Sequence, residues 1–176
     1  MTQSQAKPAY LSREKEFLTA IAKRIDKDNG AKAIMKRALT GDDRHQRHIY
    51  PIVLPLLWGV RENQQDLWNF VASLSAYYPQ TVRPEPKDFG HSCRGLQNSL
   101  TSGGTDRRFR ALLDLSLVDI KTPVTALVRQ IKSKGISIDY PLLLADLCQW
   151  EQPDQYIQDR WARSFWSTTQ TETQNS

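Results

Sequence analysis

The sequence predicts an all-α protein, two small helical bundles joined by a proline-containing linker. Apolar residues recur at spacings of three and four through most of the chain. No stretch sustains the two-residue alternation of a half-buried strand. The breaks between periodic stretches fall at glycines, prolines and residues suited to helix caps.

Residues 1–10 read as a flexible arm. Ser12 is placed to cap a helix running to about Lys27, with Phe17, Leu18, Ile21 and Ile25 inward and Gly30 marking its end. Ala31 to Leu39 forms a shorter helix with Ile34, Met35, Ala38 and Leu39 inward and Gly41 as its stop. Lys32, Lys36 and Arg37 take its other surface, where Lys32 and Lys36 repel mildly at i, i+4. Gly-Asp-Asp-Arg-His-Gln-Arg-His, residues 41–48, joins a turn to the apolar run from Ile49 to Val60, which includes Trp58. Much of that run reads as helix, with Pro51 and Pro55 blurring its limits. Gln64 to Tyr78 is a clearer helix with Leu67, Trp68, Val71 and Leu74 as its stripe, Phe70 and Tyr78 beside it, and Pro79 as its stop.

Pro79, Pro84, Pro86 and Gly90 make residues 79–90 the linker. The division gives an amino-terminal bundle, residues 1–90, and a carboxy-terminal bundle, residues 91–176. In the latter, Ser92 to Leu100 reads as a helix broken by Ser102-Gly103-Gly104. Thr105 to Leu117 follows, with Phe109, Leu112, Leu113 and Leu117 on one face and Thr105 or Asp106 as its cap. Thr122-Pro123 signals the next start, a cap with proline at the first helical position. That helix carries Leu127, Val128 and Ile131 and ends at Gly135. Asp139 caps a helix directing Leu143, Leu147 and Trp150 to the core, and Pro153-Asp154 opens the last, with Tyr156, Ile157, Trp161 and Phe165. Beyond Trp166 the Ser/Thr/Gln-rich tail has a disordered composition.

The composition, 39% hydrophobic and 24% charged over 176 residues, is that of a folded globular chain. Cys93 and Cys148 match no metal spacing and no disulfide framework, so a reducing cytoplasm is expected. The polar start lacks the apolar core of a signal peptide, and the apolar run ending at Val60 is too short to span a bilayer. Enzyme chemistry finds little support. His45 and His48, with Asp42 and Asp43 before them, fall short of the ligand set a metal requires. There is no Gly-x-Ser-x-Gly, and Ser102-Gly103-Gly104 lacks the lysine and preceding strand of a phosphate loop. No catalytic residue, metal or cofactor is therefore expected.

The basic residues carry more information. From Arg94 to Lys134 there are eight basic residues and three acidic ones, so the surplus of this window equals the +5 of the whole chain. Arg107, Arg108 and Arg110 cluster at a helix amino terminus, where the helix dipole disfavours cations. They call for negative charge nearby, either the protein's own carboxylates or phosphates. Arginine's planar fork suits phosphate, and a lined groove follows a backbone without reading sequence. With Lys36 and Arg37 added, a positive strip would cross both bundles.

Four ordered stretches resemble a known family. They are Met35-Lys36-Arg37-Ala38-Leu39, Gly95-Leu96-Gln97-Asn98-Ser99-Leu100, Asp106-Arg107-Arg108-Phe109-Arg110-Ala111-Leu112-Leu113, and the closing run from Ile138-Asp139-Tyr140 through Trp150 to Arg160-Trp161-Ala162-Arg163-Ser164-Phe165-Trp166. The chain resembles CasB, the small subunit of the type I-E CRISPR surveillance complex, Cascade. Cys93-Arg94-Gly95 departs from that family's Ser-Leu-Gly lead-in. The resemblance implies a non-enzymatic, all-helical subunit with two bundles. It implies two copies, head to tail, against the crRNA-bearing subunits, stabilising the R-loop by holding the target and displaced DNA strands. Positions matching the family's basic surface are Lys36, Arg37, Arg107, Arg108 and Arg129, with Arg110 and Lys132 as neighbours. Strand cleavage would belong to a separate helicase-nuclease. Two other readings stay open: a free-standing single-strand-binding helical module, and a purely structural protein whose basic strip pairs with acidic subunits.

Overall fold

The computed structural model describes residues 10–81, 85–99 and 103–167. Among these the fold is all-helical, with no strand. The elements in order are α1 (Tyr10–Lys27), α2 (Asn29–Ala38), α3 (Asp43–His48), α4 (Tyr50–Val53) continued by a 3-10 turn (Leu54–Leu56), and α5 (Glu62–Tyr77). Then come α6 (Phe89–Ser99), α7 (Gly104–Leu113), α8 (Lys121–Ser133), α9 (Tyr140–Cys148) and α10 (Tyr156–Trp166). No helix among the described residues is long and apolar enough to cross a membrane. The expected disordered tail, apart from Ser167, and Leu100 and Ser102 lie outside the described residues.

The apolar stripes point where their spacing predicts. Ile21, Met35, Val71, Leu74, Phe109, Leu112, Val128, Ile131, Leu143 and Trp161 are all buried. One hydrophobic core runs from Phe17 on α1 to Phe165 on α10. α1 packs on α2, α5 and α9, and α5 also packs on α2 and α8. α6 packs on α10, α7 and α8. Helix α9 thus follows the proline-rich stretch 79–90 in sequence yet lies against α1 and α5.

Several boundaries differ from expectation, each for a local reason. Ser12 sits inside α1, which begins at Tyr10. Gly30 lies within the first turn of α2, because the Asp28 side chain accepts from the Ala31 N–H and starts a new helix there. Only Tyr50–Val53 is α-helical in the apolar run; Pro55 has no N–H for the helical ladder and the chain tightens into the 3-10 turn. α7 stops at Leu113, so Leu117 falls in the following turn. α8 starts at Lys121 with Ile120 as its cap position, which puts Thr122 inside the helix. Tyr156 is exposed, whereas Ile157, Trp161 and Phe165 are buried. Asp139 caps α9 as expected, accepting from the Leu142 N–H at 3.1 Å. Asp42, at the start of α3, does the same for Arg44.

Two close contacts fix distant elements: one ties the end of α5 to the start of α9, the other seats α6 on α10. At the end of α5, the Tyr140 hydroxyl donates to the Tyr78 carbonyl at 2.7 Å, and the Tyr78 hydroxyl donates to the Ile136 carbonyl at 2.7 Å. Burial pushes the Tyr140 hydroxyl well above its ordinary pKa, so it stays a donor. Between α6 and α10, Gly90 permits a very close approach: a Cβ there would lie 2.3 Å from the Trp161 carbonyl oxygen. The obstacle is backbone, so it yields only if the helices part. Gly90→Ala is expected to destabilise the fold by about 2–3 kcal/mol, read as a lower urea midpoint. An unchanged midpoint would show that α6 and α10 do not meet this closely.

Candidate nucleic-acid interface

α7 carries three of the predicted cations. Its buried face is Thr105, Phe109 and Leu112. Helical spacing puts Arg107 opposite that face, with Arg108 and Arg110 on its two flanks. Neither Thr105 nor Asp106 caps the helix: Gly103 holds the cap position without a side-chain bond, and Gln97 Oε1 accepts the Asp106 N–H at 3.1 Å. Asp106 instead stands in the first turn, where the helix dipole favours an anion. Its carboxylate accepts from Trp166 Nε1 at 2.7 Å and from Arg110 Nη2 at 3.3 Å. The Trp166 bond, then Arg110, holds the Asp106 carboxyl below the usual aspartate range. Phe109 stacks on Phe165 with centroids 4.2 Å apart. The Arg110 guanidinium lies 5.0 Å from the Trp166 ring centre, a cation–π contact.

The seven predicted cations therefore divide. Arg107 and Arg108 are exposed, and neither bonds to another described residue. Arg110 is engaged by Asp106 and Trp166. On α8, Arg129 is exposed, while Lys132 Nζ donates to the Tyr77 carbonyl at 3.0 Å and lies 4.2 Å from the Tyr77 ring centre. Lys121, at the other end of α8, pairs with Asp66 of α5. The two contacts, each 55 residues apart in sequence, set α8 parallel beside α5. On α2, Lys36 and Arg37 are exposed and straddle the face opposite Met35. α7 touches α8, and α5 touches both α8 and α2. The α7 and α8 cations thus stand on adjoining helices, with α5 between α8 and the α2 pair.

Other chemistry is poorly served by the described residues. His45 Nδ1 is 2.9 Å from the Thr40 hydroxyl, and the His45 and His48 rings are 6.3 Å apart. No group of three His, Cys, Asp or Glu side chains that could hold a metal occurs among the described residues. Burial pushes the Cys93 thiol well up and the Cys148 thiol up to about 11, so both stay protonated and poorly nucleophilic near neutrality. A cleft of 1020 Å³ lies between α1 and α9, with Leu18, Ile25, Ile138 and Leu142 on its walls and Asp88 and Arg160 at its edge. Those two charges are bonded within the protein, 3.5 Å from each other.

The profile of the CRISPR-associated protein Cse2 family matches residues 31–166. The chain belongs to the Cse2 family. The matched span contains all seven predicted cations. A Cse2 protein of Thermus thermophilus is 28% identical over 152 residues, covering 81% of this chain and 82% of that one. The crystal structure of CasB from M. ruber superposes with a TM-score of 0.74 at 25% identity, covering 88% of this chain and 93% of that one. A chain of a CRISPR RNA-guided surveillance complex superposes with a TM-score of 0.73 at 19% identity, covering 89% and 92%. That last likeness establishes the shared fold. The Cse2 fold is thus the frame that presents Arg107 and Arg108.

Sequence spacing signals some of this geometry and misses the rest. Asp106 and Arg110 stand at i, i+4, the spacing of a helical ion pair. Trp166, 60 residues further on, is signalled by nothing local. Trp166→Phe removes the Asp106 bond and is expected to raise the Asp106 pKa toward the ordinary value. Carboxyl NMR titration reads this directly; an unmoved Asp106 would mean that Arg110 holds the carboxylate alone.

Proposed function

We propose that the chain is the small, non-catalytic subunit of a type I-E CRISPR Cascade complex and stabilises the R-loop by gripping nucleic-acid backbone. Its neighbours would be the other Cascade subunits with their crRNA, a second copy of itself, and the target and displaced DNA strands. The work would take place in the cytoplasm. The observation that carries the reading is Arg107 and Arg108, two exposed guanidinium groups on one helix, unpaired with any described residue, in a chain that belongs to the Cse2 family.

The physics of strand exchange supports such a role. A guide–target heteroduplex is about as stable as the DNA duplex it replaces, so contacts to the backbone tip a nearly even balance. Arginine forks on phosphate supply these contacts without regard to base sequence. Arg129 on the adjoining helix extends the grip. Arg110 and Lys132 add positive potential while bonded to the protein, and Lys36 and Arg37 offer a second contact region on α2. The two-bundle division, with its boundary at residue 90, belongs to the same proposal: the α2 pair would serve one bundle and the arginines of α7 and α8 the other.

The double variant Arg107→Glu, Arg108→Glu tests the reading. Both side chains are exposed, so the fold and assembly are expected to survive. R-loop lifetime in the assembled complex is expected to fall by about tenfold or more, and more steeply at raised salt, because phosphate contacts weaken as salt competes. An R-loop lifetime equal to wild type in a fully assembled complex would reject these arginines as the grip.

A further inference from the structure

Residues 49–60, Ile-Tyr-Pro-Ile-Val-Leu-Pro-Leu-Leu-Trp-Gly-Val, contain no charged side chain. Five of its twelve residues are core: Ile49, Ile52, Val53, Leu57 and Val60 are buried. The remaining seven face outward and, but for the Tyr50 hydroxyl and the Trp58 indole N–H, are apolar as well. Tyr50 is 41% exposed, Leu54 45%, Leu56 37% and Trp58 90%. Pro51 and Pro55 are exposed beside them. A surface element normally alternates an apolar inner face with a polar outer one. An outer face with no charged side chain, and only the Tyr50 hydroxyl and the Trp58 indole N–H as polar groups, marks an interaction site.

Trp58 is held out by the backbone. It and Gly59 are the central residues of a turn closed by the Val60 N–H on the Leu57 carbonyl at 2.9 Å. Gly59 has φ +73°, a conformation open to glycine and strained for other residues. Arg13 of α1 donates to the Trp58 carbonyl, and its guanidinium lies 5.7 Å from the Trp68 ring centre. The indole is thus presented on a fixed backbone, which lowers the entropy lost when a partner covers it.

The surroundings decide the kind of partner. Asp42 is bonded to Arg44, while Asp43 and Arg47, and Arg61 and Glu62, offset each other in charge along the flanks. With Arg13 counted, the face carries a single unbalanced cation, and that one is bonded to the Trp58 carbonyl, so little positive charge is left for a polyanion. Counting an aromatic side chain at about 200 Å², the outward side chains offer on the order of 500 Å². A standard interface takes about 800 Å² from each partner. The patch is thus too small to hold two free copies together, but large enough to anchor a wider contact.

We propose that the outward face of residues 50–58 is a protein-docking surface with Trp58 as its anchor, and that its occupant is a different polypeptide of the assembly presenting an uncharged apolar pocket. The proposal rests on the subunit reading above. Tryptophan is the residue type that most often dominates such contacts, filling a pocket from which water is excluded.

The test is co-purification of the full chain with the crRNA and the remaining Cascade subunits, comparing wild type with Trp58→Ala and with Leu54→Glu. Both side chains are exposed, so both variants should retain the wild-type circular dichroism and melting temperature. Recovery in the purified complex is expected to fall at least about tenfold for each, with unchanged affinity of the free chain for a random single-stranded oligonucleotide. Full recovery of both variants would overturn the proposal. So would an equal loss of oligonucleotide affinity, which would make the face a nucleic-acid contact. Self-association of the free wild-type chain, abolished by Trp58→Ala, would make a second copy the occupant and overturn it as well. A wild-type chain that never enters the complex would overturn the subunit reading and this proposal with it, an outcome distinct from the loss or retention of the variants alone.

Discussion

The arrangement depends on the joint between α6 and α10, where two buried carboxylates share one guanidinium. Asp88, just before α6, accepts from the Ser164 hydroxyl at 2.7 Å and from the His91 N–H at 3.2 Å. Asp146 of α9 accepts from Trp161 Nε1 at 2.7 Å and pairs with Arg160. Arg160 reaches both acids. Three helices are thereby fixed to one another through groups that tolerate no slip. Burial pushes the Asp146 carboxyl up, and its bonds to Arg160 and Trp161 offset that in part. A raised folded-state pKa favours the folded form below the ordinary aspartate value. That contribution fades as pH rises through the raised one. Near neutrality the cluster serves alignment more than net stability, since a buried ion pair loses hydration that its Coulomb attraction returns only in part.

That alignment reaches α7 through aromatic packing. Trp161 tilts against Phe89 and Trp150, and one turn further along α10 Phe165 stacks on Phe109. Trp166 closes the series, bonded to Asp106 and in edge contact with Phe109. The direction in which α7 presents its arginines is therefore set by a chain of contacts beginning at buried Asp146. α8 is aligned independently, by the Lys121 and Lys132 contacts to α5. Two separately braced helices make a more rigid array than one, and in the proposed role rigidity would matter because each phosphate contact would be individually weak.

Periodicity made the helices legible wherever apolar and polar residues contrast. Leu67, Trp68, Val71 and Leu74 read as a stripe and are buried as one. Contrast fails in residues 49–60, which are apolar on both faces, so neither the short extent of the helix nor the exposure of Trp58 could be read from pattern. The start of α8 was obscured because proline is tolerated throughout the first helical turn, where N–H groups lack intrahelical partners. Gln155, at φ +51°, turns the chain into α10 by a left-handed conformation that no glycine announced. For the site, the charge surplus was legible by counting. Its division into engaged and free cations was not, because Lys132 and Arg110 depend on Tyr77 and Trp166, distant in sequence.

This division bears on how charge would act in the proposed role. An arginine held by an exposed carboxylate is not withdrawn from a competing phosphate, because such pairs are weak in water. Arg110 would exchange Asp106 for phosphate at small cost, yet doing so would loosen the Trp166 contact that orients α7. Arg107 and Arg108 face no such conflict. Their displacement costs no internal bond among the described residues. In the proposed role, phosphate binding would therefore be divided between two outward arginines that grip and one inward-bonded arginine that keeps their helix in place. A basic cluster built this way gains affinity from the first two and direction from the third.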